Sequence, residues 1–455
     1  MAERHFGLDE LFISTTDRKG HIRLSNSVFV RVSGFEASEL QGAAHNIIRH
    51  ADMPRAVFQV FWDLLGQGKP VAAYVKNKAK DGGHYWVMAV VAPVPGGYAS
   101  VRIKPTHALF DKARALYKEL RALELEVEAG DPRNRKASIA ASEARLGELL
   151  RGAGFADYEA FMREALVAEV TSREEALGDA AARALVVPPE AHPRVAEVFE
   201  RCVAMRTFLD GIVADVAAYA ETGARLAGKS VFVRELSEDM RLFSLNAMLA
   251  SSRLAEGAAL SAVAGLQRAR FDALEPLLRA LAEDINGSVD LLGDMGFLIA
   301  ASRIQTEMMA AFAFEHIADA DVSSVLAEQL ELLTHALCEA VEQLSHGLAA
   351  LDARVKTLVQ HSTELDRGLQ VVRALEVNGR IEAARATDTD QVRTLFTEIG
   401  QRVEAAREEV AGFGEVRSVL QRDATVEARA AQYAAALQAV VRALGEPGGE
   451  TSRRA

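Results

Sequence analysis

The 455-residue chain is predicted to have two parts: an α+β domain with a five-stranded antiparallel sheet and short helices, then an all-α region of helical-bundle or coiled-coil type. Two observations carry this. Up to about Lys104, short β-rich runs alternate with brief helical pieces and glycine turns; beyond it, apolar residues recur three and four apart to about residue 444. Charge changes at the same place. Residues 1–106 hold 13 Lys+Arg against 9 Asp+Glu, while the rest holds 39 against 55, and both tryptophans, Trp62 and Trp86, lie in the first part.

The elements follow in order. "LFISTTD" and "HIRLSN" read as strands joined by "DRKG", where Gly20 suits a hairpin turn. Short helical pieces come next, in "SNSVFVRVSG", "EASELQG", "HNIIRH" and "MPRAVFQVFWDLLGQG". In the last, Pro54 stands where a first helical turn tolerates it, and Val57, Phe58, Phe61, Leu64 and Leu65 share one face. Three more strands, "VAAYVKNKAK", "HYWVMAVVAPV" and "YASVRIK", are separated by "DGG" and "PGG" turns.

Composition excludes several classes. The basic residues form no concentrated face of the kind nucleic acid requires. Cys202 and Cys338 give neither a disulfide framework nor a metal spacing, which fits a reducing compartment. The start "MAERHFGLDE" lacks the apolar core of a signal peptide, and no run of about 18 apolar residues exists to span a membrane. The expectation is a cytosolic protein. No Walker, GxGxxG or Ser/His/Asp arrangement stands in a catalytic context, so no enzyme is expected.

"HNIIRHADMP" (45–54) gathers His45, Asn46, Arg49, His50 and Asp52 within eight positions. Zinc is a poor fit, because the two histidines have no cysteine nearby and a single carboxylate does not complete a structural site. Together with "STTDRKGHIRLSN", "FVRVSGF", "ELQG" and "VKNKAKDGGHYWV", in this order and spacing, the segment resembles the PAS sensor of aerotaxis receptors over about residues 10–104. The resemblance implies a pocket holding FAD and reporting redox state or oxygen, and it carries a cofactor role onto Arg49, His50 and Asp52. The chemistry agrees. Arg49 and His50 can offset phosphate charge, Asn26, His45 and Asn46 can bond the ring or ribityl chain, and Trp62 or Trp86 can stack on the ring or wall the pocket. Other roles stay open: a helix cap for Asp52 and for Asn26, a backbone-bonding loop residue for His45. The chain departs from the family at Ala51, where proline is usual, and at Val71, Ala72 and Ala73, where Trp-x-Gly is usual. Haem held by His45 or His50, or no cofactor, are the alternatives to FAD. A cofactor-free interaction scaffold is the second functional reading.

The serial organisation expected is a sensor (1–106), a helical connector (107–187), a helical bundle (188–444) and a tail (445–455), with "PPEAHP" (188–193) as a hinge. Leu109, Ala113, Leu116, Leu120 and Leu123 form the stripe of a helix leaving the sensor. Leu344, Leu348, Leu351, Val355, Leu358, Ser362, Leu365, Leu369 and Val372 alternate four and three apart. That seam serves either an antiparallel bundle within one chain or dimerisation. "LFSLNAMLASSRLAE" (242–256) and "ALEVNGRIEAARATD" (374–388) align without gaps at an offset of 132. Both resemble the hairpin tip of methyl-accepting chemoreceptors, which implies a chemotaxis kinase or its coupling protein as partner. In this reading Asn246 and Asn378 bond across the helical seam, and Pro276 kinks or restarts its helix.

Overall fold

A computed structural model describes residues 2–178, 193–253, 258–315, 324–385 and 389–411, with single positions at 435 and 439. The hinge segment, apart from Pro193, and the tail lie outside the described residues, as do the last three residues of each repeat.

The strands are β1 (Phe12–Asp17), β2 (Ile22–Ser25), β3 (Val71–Lys78), β4 (His84–Val94) and β5 (Gly97–Ile103), paired antiparallel in the order β2-β1-β5-β4-β3. Asp17 fixes the first hairpin by accepting from the backbone N–H of Lys19 and His21, and Gly20 takes the left-handed conformation that the turn needs. At Gly97 the neighbouring strand passes so close that a side chain would overlap the Thr16 carbonyl. Between β2 and β3 lie α1 (Ser27–Ser33), α2 (Ala37–Leu40), a 3-10 turn (His45–Ile48) and α3 (Arg55–Gly66). Their apolar residues close the inner face of the sheet, around a core of Phe6, Phe12, Phe29, Ile48 and Tyr85. Leu64, Leu65, Val71 and Val91 form a second core beneath α3.

The outer face is covered too. α4 (Leu109–Glu128), α5 (Arg135–Gly152) and α6 (Tyr158–Leu177) follow β5. Phe110 packs its ring against Tyr74 and Trp86, and Tyr117 stacks on Trp86. The predicted stripe of α4 is buried at Leu109, Ala113 and Leu120 but only half-buried at Leu116 and Leu123; Tyr117 and Glu124 take the inner positions. The carboxylate of Glu169 joins three elements. It accepts from the Tyr74 hydroxyl (2.7 Å), from the Thr106 N–H and hydroxyl (2.5 and 3.0 Å) and from the His107 N–H (3.0 Å).

Four longer helices complete the described chain: α7 (Pro193–Ser252), α8 (Ala258–Glu315), α9 (Ser324–Arg385) and α10 (Asp390–Ala411). Pro276 lies inside α8 without ending it, contrary to the expected restart. Leu274, Leu278 and Leu281 are buried on either side of it, and such packing offsets the lost hydrogen bond. The seam is buried by the chain itself at Leu344, Leu351, Val355, Leu358, Ser362, Leu365, Leu369 and Val372; the side chain of Leu348 is not described. The chain forms two compact units: one takes in Met1–Ala214 and Gly296–Ser345, the other Asp215–Met295 and His346–Val426. Each unit joins segments distant in sequence. Among the described residues no helix is long and apolar enough to cross a membrane.

The repeats hold a second correction. Asn246 and Asn378 are exposed, and so bond across no seam buried within this chain. The buried positions are the next residues, Ala247 and Gly379, and at Gly379 a side chain would overlap the Phe396 ring. The two copies expose matching residues: Leu245 with Val377, Leu249 with Ile381, and Arg253 with Arg385.

Candidate ligand-binding site

A cavity of about 340 Å³ opens between the inner face of the sheet, the 3-10 turn and α3, within the size range of small-molecule sites. Alternation places its floor. In β5 the side chains of Tyr98, Ser100 and Arg102 point inward, joined by Ser14 and Thr16 of β1, Val75 and Asn77 of β3, and Ala89 and Val91 of β4. Phe58, Phe61, Trp62 and Leu65 of α3 form the wall, with Trp62 edge-on to Tyr98 at 5.5 Å between centroids. Trp62 is 43% exposed, and Lys19 and Asn46 are also exposed, so these residues mark the mouth.

The floor is unusual for a protein interior. Arg102 is 4% exposed. Its Nη2 donates to the Ser14 hydroxyl (2.9 Å) and to Nε2 of His45 (2.7 Å), and its guanidinium lies 5.2 Å from the Phe29 ring centre. No carboxylate among the described residues lines the cavity, so the charge has no counter-ion there. Burial draws the Arg102 pKa down to about 10. Burial, and then the Arg102 charge, depress His45 to about 3, so the imidazole stays neutral and accepts. Arg102 Nη1, Asn77 Nδ2 and Ser100 Oγ are buried and have no hydrogen-bond partner. Buried polar groups are nearly always satisfied, and exceptions call for an explanation.

Of the residues singled out in the sequence, His45, Asn46, Arg49 and Trp62 line this cavity. Arg49 lies over the Phe58 ring at 4.0 Å and reaches the Met53 carbonyl at 3.5 Å; burial, followed by the charge of Arg55, lowers its pKa. The others sit elsewhere. His50 and Asp52 point away from the cavity wall: the Asp52 N–H donates to His50 Nδ1, and Lys76 pairs with the Asp52 carboxylate at 2.6 Å. That ammonium lowers the Asp52 pKa, while burial and then Lys76 lower that of His50. Asp52 is not the cap of α3 either. Glu124 of α4 performs that task, accepting from the N–H groups of Arg55 and Ala56. Asn26 caps α1 by accepting from the Phe29 N–H and ties β1 through Ile13 and Leu11. Trp86 follows Tyr85 and precedes Val87, both in or against the inner core, so the strand period of two sends it to the outer face, against Phe110 and Tyr117.

Sequence reasoning missed Asn77, Ser100 and Arg102. The available signal was the alternation of "YASVRIK", which places an arginine in phase with Tyr98 and Ser100. A haem ligand is poorly supplied: His45 Nε2 is engaged by Arg102, and His50 is outside the cavity. Among the described residues there is no cluster of three or more His, Cys, Asp or Glu able to hold a metal.

With this geometry in view, residues 22–101 match the PAS fold family. Over 119 residues, 25% of this chain, the protein is 42% identical to the aerotaxis receptor of Escherichia coli strain K12, and the match covers 24% of that receptor. Over 82 residues it is 32% identical to the nitrogen fixation regulatory protein of Klebsiella pneumoniae, covering 18% of this chain and 17% of the other. The chain thus spans about a quarter or less of the length of these curated relatives. A solved structure of the light state of the blue-light photoreceptor Aureochrome1 LOV is 20% identical, with a TM-score of 0.21, covering 25% of this chain and 91% of that one. The N-terminal region is a PAS domain similar to that of the aerotaxis receptor; the long helical region follows it.

Proposed function

We propose that this chain is a redox- or oxygen-responsive signalling protein whose PAS cavity holds FAD and whose helical region carries the output. The supporting observation is the cavity itself: aromatic walls, three buried donors without partners, and cations with no carboxylate among them. The donors of Asn77, Ser100 and Arg102 suit the carbonyl and nitrogen acceptors of a flavin ring, and Phe61, Trp62 and Tyr98 suit its flat faces. Lys19 and Arg49, nearer the mouth, suit the diphosphate that a cavity of this size leaves outside. The 42% identity to a protein named an aerotaxis receptor supports the same reading. A bound flavin supplies reversible electron uptake.

Around it, Arg102 and His45 hold their hydrogen bonds, and the sheet connects the cavity floor to the residues that grip α4 and α6. Tyr74, one residue from the inward Val75 on β3, holds Glu169 of α6. The output partner in this reading is a chemotaxis kinase or its coupling protein, meeting the exposed repeat residues around Asn246 and Asn378. An absorption spectrum of the purified chain tests the cofactor, followed by FAD titration. Flavin bands are expected, and Arg49→Ala should weaken FAD about tenfold or more, while His50→Ala changes it little. A protein without flavin bands that gives no saturable response to added FAD would overturn the reading.

A further inference from the structure

Arg102 is a buried cation whose settling interactions are all with neutral groups. Ser14, neutral His45 and the Phe29 ring surround it, and Nη1 has no partner. The titratable side chains lining the cavity are Lys19, His45, Arg49, Tyr98 and Arg102, with no acid among them. Enclosing a guanidinium this way is costly unless an opposite charge arrives, because desolvation is repaid only by a paired partner. Arg49 lies elsewhere in the cavity, over Phe58 and toward the Met53 carbonyl, where it suits a phosphate and does not reach the floor group beside Arg102.

We propose that Arg102 is the anion-recognition residue of the cavity floor, and that it favours the reduced, negatively charged state of a flavin ring over the oxidised, neutral one. This rests on the reading that the cavity holds flavin. A flavin ring that takes two electrons and one proton from a reductant such as dithionite carries one net negative charge. Placed against Arg102, that charge supplies the missing counter-ion. His45 keeps the guanidinium oriented by accepting from Nη2, and its depressed proton affinity prevents a second positive charge from competing for the same site. The protein thereby tunes the cofactor through one charge at the ring edge.

Two measurements test this on the full-length protein. The first is the midpoint potential of the bound flavin, followed by absorbance during dithionite titration, in the unaltered protein and in Arg102→Met and Arg102→Lys. Loss of the charge in Arg102→Met should lower the ratio of reduced-state to oxidised-state affinity tenfold or more, about 30 mV for a two-electron couple. Arg102→Lys should keep most of the ratio. The second measurement needs no variant, so it stands even if Arg102→Met fails to fold. Each proton taken up with two electrons contributes about 30 mV per pH unit. In mildly acidic buffers, with free flavin as reference, the bound ring should show the one-proton slope. A two-proton slope equal to that of free flavin, or a folded, flavin-loaded Arg102→Met with an unchanged potential, overturns the proposal while leaving the flavin reading intact. Absence of flavin from the unaltered protein overturns the flavin reading, and this proposal with it.

Discussion

On the outer face of the PAS sheet, Tyr74 donates to Glu169, Tyr117 and Tyr158 share a hydrogen bond of 2.6 Å, and Thr106 and His107 give their N–H groups to the same Glu169. On the inner face of the same strands, Asn77, Ser100 and Arg102 each keep a buried polar atom without a partner. Both faces are buried and both carry polar side chains, so burial alone does not separate them. The difference lies in who completes them. The outer face is completed by α4 and α6 of this chain, whereas the inner face keeps donors that no described residue satisfies.

The largest expected effect breaks the outer face. Glu169→Ala strands the Tyr74 hydroxyl and the N–H groups of Thr106 and His107, and should cost about 3 kcal/mol, because buried donors lose their acceptor. Ser100→Ala on the inner face should cost under about 0.5 kcal/mol in the ligand-free protein, since its hydroxyl has no bond to lose. Urea unfolding of the two variants under the same conditions measures the contrast. Equal destabilisation would erase it.

A second effect is read with pH. In the fold His45 takes its proton only near about 3, while in the unfolded chain it does so near the ordinary 6.5. Between these values the unfolded state binds more protons, so stability falls as pH descends from 6.5 toward 3 and is fully present above 6.5. At pH 5 the loss from this one group is about 2 kcal/mol. His45→Asn should remove that share of the acid sensitivity, as read from unfolding midpoints at pH 7 and pH 5. An unchanged pH dependence in the variant would mean the inner face tolerates a protonated His45.

The smallest effect concerns the repeats. Since Asn246 and Asn378 are exposed, Asn246→Leu and Asn378→Leu should each change stability by under about 0.5 kcal/mol, with helicity by circular dichroism unaltered. A larger change in either direction would place the asparagines in a packed interface after all.

The sequence was most legible where periodicity is strict. The five strands, Gly20 and the stripe through Leu358, Leu365, Leu369 and Val372 could all be read from alternation and spacing, because one-sided burial forces those patterns. The cavity was legible on one side only. "HNIIRHADMP" announced His45, Asn46 and Arg49 because polar residues crowd around two isoleucines. Yet His50 and Asp52 belong to the same crowd and bind each other and Lys76 instead, a distinction that depends on the direction of a single turn. Asn77 was hidden between Lys76 and Lys78, and Ser100 and Arg102 alternate with apolar residues in β5, where polar residues at every second position look like a solvent face. Trp86 was misjudged for the opposite reason: a large aromatic invites a stacking role, but its strand phase had already assigned it outward. The capping of α3 by Glu124 has no local signal, since three strands of the sheet lie between donor and acceptor in the chain.

The Thr15 hydroxyl in β1 donates to Gln329 at 2.9 Å, and the Ser27 hydroxyl donates to Glu315 at 2.9 Å. These links span 314 and 288 positions of the chain. A ribosome releasing the chain from its N-terminus delivers the sheet long before it delivers these partners. Such non-local pairings come late and slow the search for the final arrangement. The nascent sheet can close its inner core early, because Phe12, Phe29 and Tyr85 are all made by then, but part of its other side waits through most of synthesis. The first strand is therefore made long before the partners that finish it.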